Sequence, residues 1–302
     1  MTPDSGVFHG ETPPRWAMSV IFASHATSTA SPSPDVSMVC SDALAFLGGL
    51  GVQSVDLVFG SPPYDGSRTY GLPPGPVGDA WVAWMVDIYK ASLLACRGLV
   101  AFVVEGKTRQ FSWSATPALL MAKLHQEGIC LRKPPIYKRV GIPGSGGPDW
   151  LRNDYELIVC ATNGGKLPWS DNTAMGKPPK YVPGGPPAYR VAGVDDARVV
   201  GAVYSPPEIA NPGNVIERAT GGGHMGHRLA HENEAPFPES LAEFFVRSFC
   251  PPGGVVVDPF LGSGTVAAAA IKAGRKFAGC DIRQTQVDLA RRRLDGLQVE
   301  MF

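Results

Sequence analysis

From Val39 onward the apolar positions fall into two alternating spacings. Short runs dense in β-branched and aromatic residues read as strands: Val55–Phe59, Gly98–Val104, Val255–Val257 and Lys276–Cys280. Between them lie stretches with helical period. Asp79–Cys96 carries Trp81, Trp84, Met85, Ile88, Leu93 and Leu94, largely at helical spacing. Thr116–His125 predicts a shorter helix, and Thr265–Ala273 an alanine-rich one. Glu239–Phe249 sets Leu241, Phe244, Phe245 and Phe249 on one face, with a proline at its start. Such a βαβ series predicts an α/β, Rossmann-like fold with a largely parallel, doubly wound sheet.

Two regions lack this periodicity. Residues 1–36 are rich in Ser, Thr and Pro and read as a mobile tail, with Trp16–Phe22 its one apolar patch. From 141 to 226, Gly and Pro fill 27 of 86 positions, with Trp150, Trp169, Tyr181, Tyr189 and Tyr204 scattered among them. An irregular insertion of this length inside a compact domain is usually functional or disordered, and its aromatics favour function.

The chain has 302 residues, 44% of them hydrophobic and 18% charged, a globular composition. No apolar run approaches the ~20 residues of a membrane span. The N-terminus lacks the basic-then-apolar design of a secretion signal. The six cysteines lie far apart, most in apolar segments, which predicts reduced thiols and a cytoplasmic location. Lys plus Arg equals Asp plus Glu at 27 each, so any polyanion must be held by local charge. Arg132, Lys133, Lys138, Arg139 and Arg152 form one cationic stretch that could touch nucleic acid. Arg291–Arg293 on the last helix, beside Asp288 and Asp295, read as a solvated face.

The candidate chemistry sits in two segments. Ser61-Pro62-Pro63-Tyr64 directly follows the strand Val55–Phe59. The prolines donate no backbone N–H and lock φ, leaving stiff, outward carbonyl acceptors. Tyr64 offers a stacking face and Ser61 a hydroxyl, which suits a flat ring bearing an amine. The second segment, Asp258-Pro259-Phe260-Leu261-Gly262-Ser263-Gly264-Thr265, follows Val255–Val257 and opens a helix. A ligand can lie across such a turn at the carboxyl edge of a parallel sheet. No Lys follows the glycines, so a phosphate-gripping P-loop is not expected. Asp281, at the end of the next strand, can bind the two ribose hydroxyls of an adenosyl cofactor. His224, His227 and His231 lie among glycines and read as loop histidines, so no metal is expected. A second Ser-Pro-Pro at 205–207 has no strand before it and reads as a turn.

In this order the segments resemble an amino-methylating DNA methyltransferase of the permuted β group, whose catalytic motif precedes its cofactor motif. The likeness extends to Val39–Leu44, to Tyr155–Cys160, which resembles the family's late strand, and to His231–Pro238, and covers about 38–160 and 231–295. One departure is Ser41, where the family usually has Gly before the acid. The resemblance implies S-adenosylmethionine as cofactor and double-stranded DNA as partner, with a cognate restriction endonuclease and a homodimer left open. It implies catalytic roles for Ser61, Pro62, Pro63 and Tyr64. It implies cofactor contacts from Asp42, Phe237, Asp258, Pro259, Phe260, Gly262, Ser263, Gly264, Thr265 and Asp281. The expected organisation is a tail (1–36), a catalytic half (37–163), a target-recognition region (164–230) and a cofactor-binding half (231–302).

Ser at the head of the tetrapeptide is commonest in N4-cytosine enzymes of this group, with N6-adenine the alternative. An RNA or protein amide methyltransferase and a non-catalytic DNA-binding module are further readings. A C5-cytosine mechanism needs a nucleophilic thiolate from a Pro-Cys pair, and none of the cysteines follows a proline. A nicotinamide oxidoreductase would leave Ser61–Tyr64 unexplained.

Overall fold

Strand direction and strand order together decide which residues meet. The computed structural model describes residues 35–66, 71, 73–141, 146–179, 188–190, 198–200, 207–220, 223–233 and 235–300. The strands are β1 (Val36–Cys40), β2 (Val55–Gly60), β3 (Cys96–Val104), β4 (Thr108–Arg109), β5 (Ser112–Trp113), β6 (Cys130–Arg132) and β7 (Ile136–Val140). They continue as β8 (Tyr155–Thr162), β9 (Ala188–Arg190), β10 (Arg198–Val200), β11 (Val215–Ala219), β12 (Val255–Asp258) and β13 (Lys276–Asp281). The helices are α1 (Ala43–Gly48), α2 (Asp79–Ala95), α3 (Thr116–Gln126), α4 (Glu239–Phe249), α5 (Thr265–Lys272) and α6 (Gln284–Glu300).

Among the described residues nine strands form one sheet, ordered β1-β13-β12-β2-β3-β8-β7-β11, with β6 also on β8. From β1 to β3 every pairing is parallel. β8 then runs antiparallel to β3, β6 and β7, and β11 returns parallel to β7. The α/β, largely parallel architecture is thus realised.

All six residues of β2 are buried, and they alternate between two cores. Leu57 and Phe59 face a core built with α4, α5 and α6, while Val58 faces one built with α1, α2 and α3. Helices therefore cover both faces, as a doubly wound parallel sheet requires. Asp56 in this strand is only 6% exposed; it accepts from Arg97 Nε at 2.7 Å and from Val255 N at 2.9 Å. That pairing offsets the cost of burying the charge and ties β2 to β12.

Several expectations shift. β1 begins at Val36, inside the expected tail, whose residues up to 34, with Trp16–Phe22, lie outside the described residues. Cys96 starts β3 instead of ending the helix. Val215–Ala219, in the stretch without visible period, is a strand of the main sheet, because β7 offers it a parallel edge. The second Ser-Pro-Pro lies outside the described residues except for Pro207. Arg293 is fully buried and not part of a solvated face. No helix among the described residues is long and apolar enough to cross a membrane.

Candidate active site at the carboxyl edge of the sheet

Because β1, β13, β12, β2 and β3 are parallel, the loops leaving their C-terminal ends gather on one edge. β8 runs the other way, so its first residues, Tyr155 and Glu156, reach that same edge. A cavity of about 740 Å³ opens there.

One wall is Ser61–Tyr64. The Tyr64 hydroxyl donates to Glu156 Oε2 at 2.7 Å and accepts from Ser61 Oγ at 3.2 Å. Glu156 Oε1 lies 3.1 Å from Arg139 Nη1 in an ion pair. Trp81 Nε1 donates to Pro63 O at 2.8 Å and so fixes the loop from beneath. Burial, reinforced by the Glu156 charge, holds the Tyr64 phenol well above its ordinary range, so it stays protonated. Burial also raises the Glu156 carboxyl, against the opposing pull of Arg139 and the Tyr64 hydrogen bond. Tyr137, Arg139 and Thr220 join this side from β7 and the end of β11.

The other segment is the turn after β12. Gly262 adopts φ 49° and Gly264 φ 75°, left-handed values that favour glycine. Asp281 closes the turn: its Oδ2 accepts from Gly262 N at 3.0 Å and its Oδ1 from Arg283 N at 2.9 Å. Burial raises the Asp281 carboxyl, opposed by these hydrogen bonds and by Arg283. Phe260 packs edge-on to Trp84 and to Phe102, each at 5.7 Å, and Phe237 packs edge-on to Phe59 at 5.9 Å. The N-cap of α1 completes the wall: Asp42 Oδ1 accepts from Leu44 N at 2.9 Å and Ala45 N at 3.2 Å. Ser41, where Gly was expected, donates its N–H to Asp281 O at 3.0 Å and so joins the two acids' loops.

The sequence model of the DNA methylase family (N6/N4 type) matches residues 55–292. This chain belongs to that family.

The methylase is 25% identical over 260 residues to the DNA adenine methyltransferase YhdJ of Escherichia coli strain K12, covering 84% of this chain and 81% of that protein. Among solved structures it resembles the cytosine-N4-specific PvuII DNA methyltransferase, with a TM-score of 0.63 at 18% identity over 86% of this chain and 88% of that one. It also resembles a putative DNA modification methylase from Thermus thermophilus, TTHA0409, in complex with S-adenosyl-L-methionine. There the TM-score is 0.55 at 21% identity, over 85% of this chain and 92% of that one. These two likenesses establish the fold.

Of the residues singled out in the methylase sequence, Ser61, Pro62, Pro63, Tyr64, Asp42, Phe237, Pro259, Phe260, Gly262 and Asp281 line the cavity. Asp258, Ser263, Gly264 and Thr265 are not among the described lining residues. Asp258 is 2% exposed, accepts from Phe260 N at 2.8 Å, and presses on Gly60, where a Cβ would stand 2.3 Å from Oδ1. Burial pushes its carboxyl up to about 8. Ser263 and Thr265 face inward to Arg293, whose Nη1 donates to Thr265 Oγ1 at 3.0 Å and whose Nη2 pairs with Glu239 at 2.7 Å.

The cationic stretch divides. Arg139 turns into the cavity, Lys138 pairs with Glu217 at 2.8 Å, and Arg152 lies 3.9 Å from Asp154. Arg132 donates to Gly165 O, and Lys133 is exposed. Glu156, Tyr137, Trp84, Asn233 and Arg283 line the site without having been singled out. For Glu156 a signal existed, an acid inside an apolar strand.

Proposed function

We propose that this chain moves a methyl group from S-adenosylmethionine to the N4 exocyclic amine of a cytosine flipped out of duplex DNA, at a defined target sequence. The observation that carries the reading is the meeting of Ser61–Tyr64 with the Gly262–Asp281 turn around one cavity. Its volume of about 740 Å³ suits a ligand site, which typically spans roughly 300–1,000 Å³. Aromatic walls at Tyr64, Phe237 and Phe260 beside acids at Asp42 and Asp281 fit a molecule joining a purine, a ribose and an amino-acid tail. Bound there, S-adenosylmethionine supplies an electrophilic methyl on a sulfonium.

The remaining lone pairs of Asp281 would accept the ribose hydroxyls. Asp42 would meet the adenine edge through Oδ2, since Oδ1 caps α1. Phe237 and Phe260 would form walls, and Pro259 would shape the turn. Asp258, Ser263, Gly264 and Thr265 would act through the form of that turn from behind. A base inside a duplex must leave the stack to be reached. Tyr64 would stack on it, while Pro62 O and Ser61 Oγ would accept hydrogen bonds from the amine. These bonds draw its lone pair out of conjugation and toward the methyl. Holding the reacting atoms in line can lower the barrier by ~7–11 kcal/mol.

Residues 164–230 would carry target recognition, between the catalytic half (37–163) and the cofactor half (231–302). Exposed Arg132 and Lys133 would meet phosphates. Ser61 at the head of the tetrapeptide supports cytosine, as does likeness to a cytosine-N4-specific fold relative. The match to an adenine methyltransferase favours the second reading, N6-methyladenine. The test is nucleoside mass spectrometry of unmethylated DNA treated with the protein and S-adenosylmethionine. N4-methylcytosine is expected. N6-methyladenine would transfer the mechanism to the second reading, and neither product would overturn both.

A further inference from the structure

The β4–β5 hairpin carries a residue that its turn does not favour. Arg109 pairs with Ser112, so Gln110 and Phe111 form a two-residue loop, and both are left-handed, with φ 46° and 63°. Such turns favour Asn-Gly or Gly-Gly, because a side chain at positive φ is strained. A bulky aromatic there is an outlier, and outliers of this kind cluster at functional sites. Nor is the Phe111 ring held by a core: it is 71% exposed. Its neighbour is Trp150, edge-on at 5.4 Å and itself 42% exposed, followed by Leu151 at 92%.

The hairpin is tied to the catalytic loop. Lys107 Nζ donates to Gly66 O at 3.1 Å, and Arg109 donates to the same carbonyl, two residues past Tyr64. Arg109 meets no carboxylate among the described residues, and its guanidinium sits at Gly66, between the hairpin and the Ser61–Tyr64 loop. An exposed apolar tip on a hairpin that carries such a cation suits a polyanion with a stacked, apolar interior, which is duplex DNA.

We infer that Phe111 is an intercalating wedge, entering the base stack to fill the space that the target base vacates. The inference rests on the reading of the cavity as a flipped-base site. Trp150 braces the ring, and the rigid turn keeps it upright before DNA arrives.

The experiment uses the full chain with Phe111→Gly and Phe111→Ala. The target is first mapped on plasmid DNA methylated by the wild type; a wild type that methylates no base overturns the underlying reading before any variant is made. A duplex with a fluorescent base analogue at the target position then reports flipping. Both variants are expected to lose about tenfold in apparent affinity on the matched duplex. They should recover on a duplex with an abasic site opposite the target, where the pair is already broken. Phe111→Gly, which relieves the turn, should melt no lower than the wild type, separating the wedge from a folding role. A wild-type flipping signal from either variant on matched DNA, or an equal loss on both duplexes, overturns the proposal.

Discussion

Tyr64 and Glu156, 92 residues apart in the chain, share a 2.7 Å hydrogen bond from phenol to carboxylate. It exists because β8 runs against β3, delivering its first residues to the edge where the parallel strands end. Glu156 thereby orients the ring proposed to stack on the base, and Arg139 in turn orients Glu156.

Removing the hydroxyl separates orientation from stacking. Tyr64→Phe keeps the ring and should lower kcat about tenfold, whereas Tyr64→Ala should lower it ~100-fold or more. Cofactor affinity by calorimetry should be unchanged in both. Equal kcat in Tyr64→Ala and wild type would remove Tyr64 from the reaction.

Asp281 joins the turn to the proposed ribose site through a 3.0 Å bond to Gly262 N. Asp281→Ala is expected to weaken S-adenosylmethionine binding ~10–100-fold, about 1.4–2.7 kcal/mol, with a smaller effect on DNA affinity. Calorimetry with the cofactor alone checks this.

Asp258 gives a pH signature. Its carboxyl rises from 3.8 to about 8 on burial, so between those values the folded chain holds a proton that the unfolded chain has released. Stability therefore falls as pH rises through that window and levels off above it. Glu105, raised from 4.5 to about 7 chiefly by burial, adds to the fall in the same direction. Between about pH 5 and pH 8 the wild type should lose ~5 °C or more of Tm, and Asp258→Asn should lose less. Parallel melting curves for the two proteins would contradict this.

Arg293 holds the Gly262–Thr265 turn from behind while pairing with Glu239. Arg293→Ala should cost about 2–5 kcal/mol in urea denaturation, since it empties a fully buried site and leaves Glu239 only its 2.7 Å pair with Lys272. Arg293→Met should cost less, because it refills the volume, yet still weaken cofactor binding by loosening Ser263–Thr265.

How much of this was legible in the sequence depends on distance along the chain. Ser61–Tyr64 and Asp258–Thr265 could be read because each motif adjoins the strand that positions it. Glu156 stands out locally as an acid in an apolar strand, but its pairing with Tyr64 and Arg139 follows from antiparallel strand order, which no local pattern announces. In sequence Arg139 is one of a run of cations, although its strand turns it inward. Arg293 was hidden differently. Three arginines in a row look solvated, but Ala290, Arg293, Leu294 and Leu297 share the buried stripe of α6. Val215–Ala219 was obscured by the Gly and Pro around it, and becomes a strand only against β7.

The pairing of β1 with β13 joins Cys40 to Asp281, so the cofactor side of the cavity draws on segments 241 residues apart. During synthesis Ser61–Tyr64 emerges 217 residues before Asp281. At ~5–20 residues per second that interval lasts about 10–40 s. Throughout it the ribosome-bound chain carries the proposed catalytic loop without the acid that completes the cofactor turn. On the proposed reading, competence for methylation therefore waits on the last strand of the sheet to be made, and a chain cut short before β13 would carry the catalytic loop without its ribose acid.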